Sequence, residues 1–149
     1  MAELEDRRED ILARLLVVAG GIDPTLNPLR NETSIPDSAM PAVVVLDGKE
    51  LANPEDPFSH KADTKRRVAM MPEVQFRLAS TAKNVGTDLN RMRRKLIDAV
   101  LTDTALLALT INGKSIRYDG SNTVTERGRS MEGGIGVGFT FTYALEPAT

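Results

Sequence analysis

Gly133-Gly134-Ile135-Gly136-Val137-Gly138-Phe139-Thr140-Phe141-Thr142-Tyr143-Ala144-Leu145 alternates between large apolar and small residues. In an extended chain successive side chains point to opposite faces, so Ile135, Val137, Phe139, Phe141, Tyr143 and Leu145 share one face. Gly136, Gly138, Thr140, Thr142 and Ala144 share the other. A strand with one large apolar face and one small-residue face belongs in a sheet covered by helices on one side. This stretch fixes the expected class: an α+β (α/β) single domain, 1–149, with a small mixed or antiparallel sheet flanked by two main helices.

Upstream of it, Asp119-Gly120 between Ser115–Tyr118 and Ser121–Arg127 carries the two-residue chemistry of a β-hairpin turn. A helix with Thr87 as N-cap and Asp88 in its first turn is expected before that. It buries Leu89, Met92, Leu96 and Val100 and wets Arg91, Arg94, Lys95 and Asp98. Asp103 caps a further short helix through Leu109, and Asn112-Gly113 is its exit turn.

Arg67–Ala79 reads as a strand in which Val74, Phe76 and Leu78 alternate with Gln75, Arg77 and Ala79. Pro72 has no N–H for a ladder, so the strand lies at an edge or is interrupted there. Ala42–Leu46 is a β-branched run typical of a strand covered on both faces, closed by the turn pair Asp47-Gly48. Long loops are expected at about 22–41 and 48–66, each carrying prolines. An amphipathic helix, about Glu3 to Ala19, opens the chain with Leu4, Ile11, Leu12, Leu15, Val18 and Ala19 on one face. Glu3–Arg7 and Asp10–Arg14 are acid-first i,i+4 pairs, and Gly20-Gly21 ends the helix through a left-handed glycine.

Composition narrows the function. The net charge of −2 supplies no global field toward nucleic acid or anionic membrane. With no cysteine and one histidine, disulfides, thiolate zinc sites, cysteine nucleophiles and multi-histidine metal sites are excluded. The acidic start lacks signal-peptide character, and apolar runs are far too short to span a bilayer, which gives a soluble, cytoplasmically made chain as the expectation. Asn31-Glu32-Thr33 is read as a chance match to a glycosylation sequon.

Three constellations could carry chemistry. Asp47, Glu50, Glu55, Asp56, His60 and Asp63 could hold a hard cation or do acid–base work. They are spread along a proline-containing loop without rigid support, so a solvated loop is the preferred reading. Gly134–Gly138 superficially suggests a phosphate loop, yet its glycines open a strand and no helix follows. From Lys61 to Lys95, ten cations face three carboxylates, including Lys65, Arg66, Arg67, Arg91, Arg94 and Lys95. Such a segment can meet DNA phosphates or a neighbouring subunit; without interleaved aromatics the subunit contact is the preferred reading.

With these elements placed, nearly the whole chain resembles the tail terminator proteins of long-tailed bacteriophages, including the minor tail protein U group. The resemblance lies in the amphipathic opening helix, Leu29-Arg30-Asn31, Pro41-Ala42-Val43-Val44-Val45 and a long acidic arm. It continues through Met71-Pro72-Glu73-Val74-Gln75-Phe76, Val85-Gly86-Thr87-Asp88-Leu89-Asn90 and the closing meander. It implies a non-catalytic virion protein without cofactor or metal, forming a homohexameric ring. That ring caps the tail tube, stops its polymerisation and docks the head connector or stopper, with DNA passing through unread. The partners implied are other copies, the major tail tube protein and the connector. A head-completion protein of the neck, or a non-specific nucleic-acid-binding module, is the alternative. Asp47, Glu50, Glu55, Asp56, Lys65, Arg66, Arg67, Arg91, Arg94 and Lys95 are the interface candidates, an acidic arm of one copy meeting the basic segment of the next.

Overall fold

A computed structural model describes residues 4–54, 65–80, 84–126 and 131–147. Strand β1 (Leu4–Glu5) precedes helix α1 (Arg8–Gly20), the short strand β2 (Asn27–Arg30) and β3 (Ala42–Ala52). Then follow β4 (Arg66–Ser80), α2 (Val85–Thr102), α3 (Thr104–Leu109), β5 (Ile116–Glu126) and β6 (Met131–Pro147). The strand path is β1-β6-β4-β3-β2, with β5 also on β6. Among the described residues only the β2–β3 pairing is parallel, so the sheet is mixed and the α+β class holds.

The alternation in β6 sets the core. Ile135, Val137, Phe139, Phe141 and Tyr143 are buried in one cluster with Val43, Val45, Val74, Phe76 and Met70 of the neighbouring strands. Ile11, Leu12, Leu15 and Ala19 of α1 join that cluster, as do Val85, Leu89, Met92, Leu96 and Val100 of α2. The stripe of α2 is therefore as its period dictates, extended by Val85. Both main helices cover the same sheet face. On the opposite face, register aligns Leu29, Val44, Gln75, Gly136 and Asn122 across five strands.

Several expected boundaries move. Helix α1 starts at Arg8 instead of Glu3, because Leu4–Glu5 pairs with Pro147 and Glu146 and Asp6 accepts from the Arg8 N–H at 3.0 Å. Its end is right-handed at Gly21 (φ −86°), not left-handed. At Gly20 an added Cβ would lie 3.3 Å from Pro28, so close approach of β2 accounts for that glycine. The loop at 22–41 contains β2 and a 3-10 turn, Asp37–Ala39. Helix α2 begins at Val85, preceded by Asn84, so Thr87 lies inside it and caps nothing. Asp103 does cap α3, accepting from the Leu106 N–H at 2.9 Å.

Both Asp-Gly pairs are bulges instead of turns. Strand β3 runs through Asp47-Gly48, where its register against β4 shifts between Leu46 and Lys49. Pro72 sits opposite, buried in a central strand, at a gap in the ladders to β3 and β6 alike. Strand β5 likewise runs through Asp119-Gly120, with Asp119 the extra residue between the Tyr118–Phe139 and Gly120–Gly138 pairs. The hairpin is formed by β5 with β6.

Candidate interaction surfaces

The expected acidic arm begins in β3, and both carboxylates in its described part, half-buried Asp47 and exposed Glu50, take partners within the chain. Arg30, at the end of β2, donates from Nε to Asp47 Oδ1 (2.9 Å) and from Nη2 to Asp47 Oδ2 (3.1 Å). The same guanidinium grips Glu9 of α1 through Nη1 and Nη2, at 2.5 and 2.9 Å. Asn31 takes a left-handed backbone (φ 57°), and its Oδ1 accepts from the Asp47 N–H at 3.0 Å. Hydrogen bonding to Arg30 holds both carboxyls below their ordinary range and keeps the guanidinium charged. Past the bulge, Glu50 accepts from the Tyr143 hydroxyl. Burial, and then Glu50, push that phenol above its usual value.

The arm's other face is cationic. Register puts Glu50 opposite the core residue Met70, so Lys49 and Leu51 face away from the helices. Arg67 of β4 shares that outer face, two residues from Ala69, the partner of Leu51. Lys49, Leu51 and Arg67 are all exposed. Arg66 is half-buried, and the exposed Lys65 lies 3.6 Å from Glu146, a separation worth little in water. Glu55, Asp56, His60, Lys61 and Asp63 lie outside the described residues.

The basic stretch of α2 is distributed by helical geometry. Arg91 pairs with Asp88 one turn back at 3.1 Å, and Arg94 is exposed. Arg93 leaves the outer face to lie over the Tyr118 ring (5.5 Å to its centre) and to donate to Tyr118 and Ser121. Lys95 lines a cleft of about 380 Å³ between α1 and α2, with Val17, Val18, Ile22, Asp98 and Ala99. At its end, Arg14 donates to both oxygens of Asp103, at 2.9 and 2.7 Å. The expected Asp10–Arg14 pair is thus replaced by a bond between helices.

A second shallow cleft, about 420 Å³, lies on the sheet face away from the helices, over Gly136, Gly138 and Gly120. Glu73 lies along it: a Cβ at Gly136 would meet Glu73 Oε1 at 1.9 Å. Gly134 and Gly136 of β6 thus make room for the side chains of Arg77 and Glu73 in β4. Asp119 accepts there from Arg117 (2.8 Å) and Thr140.

Sequence reasoning missed the Arg30 hub, the Arg14–Asp103 bond and the exposed Leu51. Only Leu51 left a trace, a leucine between Lys49-Glu50 and Ala52-Asn53 in a polar stretch. Among the described residues, no group of three or more His, Cys, Asp or Glu could hold a metal, and no helix is long and apolar enough to cross a membrane. No family model and no curated protein matches the chain.

Proposed function

We propose that the chain is a structural subunit of a phage tail. Copies assemble into a ring, a hexamer by the family resemblance, that caps the tail tube, stops its polymerisation and docks the head connector. The reading rests on the order of elements that resembles the tail terminators. One observation carries it: the main helices cover one face of the sheet while the β3–β4 arm turns Lys49, Leu51 and Arg67 outward on the other. Exposed apolar and charged groups on a rigid strand pair suit contact with another protein. Asp47 and Glu50 act in this reading as internal supports of the arm, and its outward charge is positive.

The test is reconstitution. Purified chain added to polymerising tail tube protein should shorten the tubes and leave a ring at one end in negative-stain images. Tubes of unchanged length with bare ends would overturn the reading.

A further inference from the structure

Among the described residues, Val17, Leu51 and Leu101 are the exposed large apolar side chains, at 61%, 48% and 37%. Val17 and Leu51 sit on opposite sides of the molecule. Val17 lies on the outer surface of the helical layer, at the cleft whose apolar wall is Val18, Ile22 and Ala99. Leu51 projects from the sheet face away from the main helices.

The surroundings of Leu51 are positive, while the cleft lining is balanced, Arg14 and Lys95 against Asp98 and Asp103, with Asp10 beyond it as the carboxylate in excess. Leu51 shares its face with Lys49 and Arg67, neither paired with a carboxylate among the described residues. Val17 has Asp98 across its cleft, and Asp10 two turns earlier on the same side of α1. Both aspartates are exposed and take no ion pair among the described residues. The cleft's other charges, Arg14 and Asp103, neutralise each other at 2.7 Å. Lys95 also lines the cleft, one turn from Asp98, and offsets its charge, so Asp10 is the carboxylate in excess for an incoming cation.

We infer that the Val17 cleft receives Leu51 from the arm of a second copy of this chain, with Lys49 and Arg67 facing Asp98 and Asp10. A knob and a hole at different places on one molecule make a head-to-tail contact, which propagates from copy to copy and closes when the rotation permits. The inference rests on the self-assembly within the proposed function and adds which surfaces meet.

The absence of native cysteine makes the test direct. The full chain carrying Val17→Cys and Leu51→Cys together, treated with a short bismaleimide, should give a ladder of linked multimers on a denaturing gel. Each single-cysteine variant should remain at monomer size. Leu51→Asp, an exposed change that leaves the melting temperature unaltered, should weaken self-association in sedimentation by about tenfold or more, the worth of one buried leucine. Single variants that cross-link as well as the double would mean like surfaces meet, and would overturn the contact. An unlinked double variant beside an oligomeric wild type would overturn the contact and spare self-assembly. A wild type monomeric at every concentration would overturn both.

Discussion

Arg14 and Asp103 lie 89 residues apart and join two helices through two hydrogen bonds, 2.9 Å from Nε and 2.7 Å from Nη2. Asp103 simultaneously caps α3 by accepting from the Leu106 N–H. One carboxylate therefore fixes where α2 stops, where α3 starts and how α1 lies against them. The bonds from Arg14 and from the Leu106 N–H hold its pKa below the ordinary value.

Asp103→Ala is expected to lose about 1 kcal/mol from the cap alone. Asp103→Asn keeps a capping oxygen while removing the charge. A depressed carboxylate stabilises the fold above its unfolded pKa, near 4, and loses that contribution as pH falls through the folded value. Urea midpoints should therefore drop more steeply below about pH 4 in the wild type than in Asp103→Asn; parallel curves would contradict the charge's part.

Gly48 is expected to tolerate no side chain. Its φ is +70°, and a Cβ would lie 2.0 Å from the Met71 carbonyl oxygen, which is backbone and cannot swing aside. Gly48→Ala should cost more than about 1–2 kcal/mol, or force a different β3–β4 register. Chemical denaturation detects the first outcome, and altered amide-exchange protection across Lys49–Ala52 the second.

The glycines of β6 divide by what they face. At Gly133 a Cβ would meet Val85 Cγ2 at 2.5 Å and Leu89 Cδ1 at 3.0 Å, both in the packed core. Gly133→Ala should cost about 1–3 kcal/mol through overpacking. At Gly136 the obstacle is the end of the Glu73 side chain, which can rotate away toward solvent. Gly136→Ala should stay within about 0.5 kcal/mol of wild type, since the lower entropy of the unfolded chain offsets the adjustment. Equal melting temperatures for the two variants would refute the distinction.

Where sequence and structure agree, one interaction dominated and repeated. The stripe of α2 and the alternation of β6 each recur over several turns or pleats, so no local detail could outweigh them. Asp47-Gly48 and Asp119-Gly120 were misread because a left-handed glycine serves a bulge as well as a turn. The partner strand decides which: Pro72 across from Gly48, and an unbroken β6 across from Gly120. Strand β2, four residues with Pro28 inside, has no period to read. Nor could spacing show that Asp47 and Glu50 are held within the chain, since their partners Arg30 and Tyr143 come from other strands.

The two tyrosines of the chain should titrate far apart. Tyr118 sits against Ser121 and beneath Arg93; the serine hydroxyl, and then the guanidinium, favour its phenolate and lower its pKa. Tyr143 is buried with its hydroxyl on the Glu50 carboxylate, and both desolvation and that negative charge raise its pKa. Alkaline absorbance titration should show one phenolate forming below the ordinary value near 10 and the second only as the chain unfolds. A raised folded pKa stabilises fully below the unfolded value and loses that contribution above it, so stability should fall from about pH 10 upward. In Glu50→Gln the hydroxyl keeps a partner without the adjacent charge, so the second step should move to lower pH. A single step for two tyrosines in the folded wild type would contradict the Tyr143–Glu50 contact, and with it the anchoring of the outer half of β3 to the core.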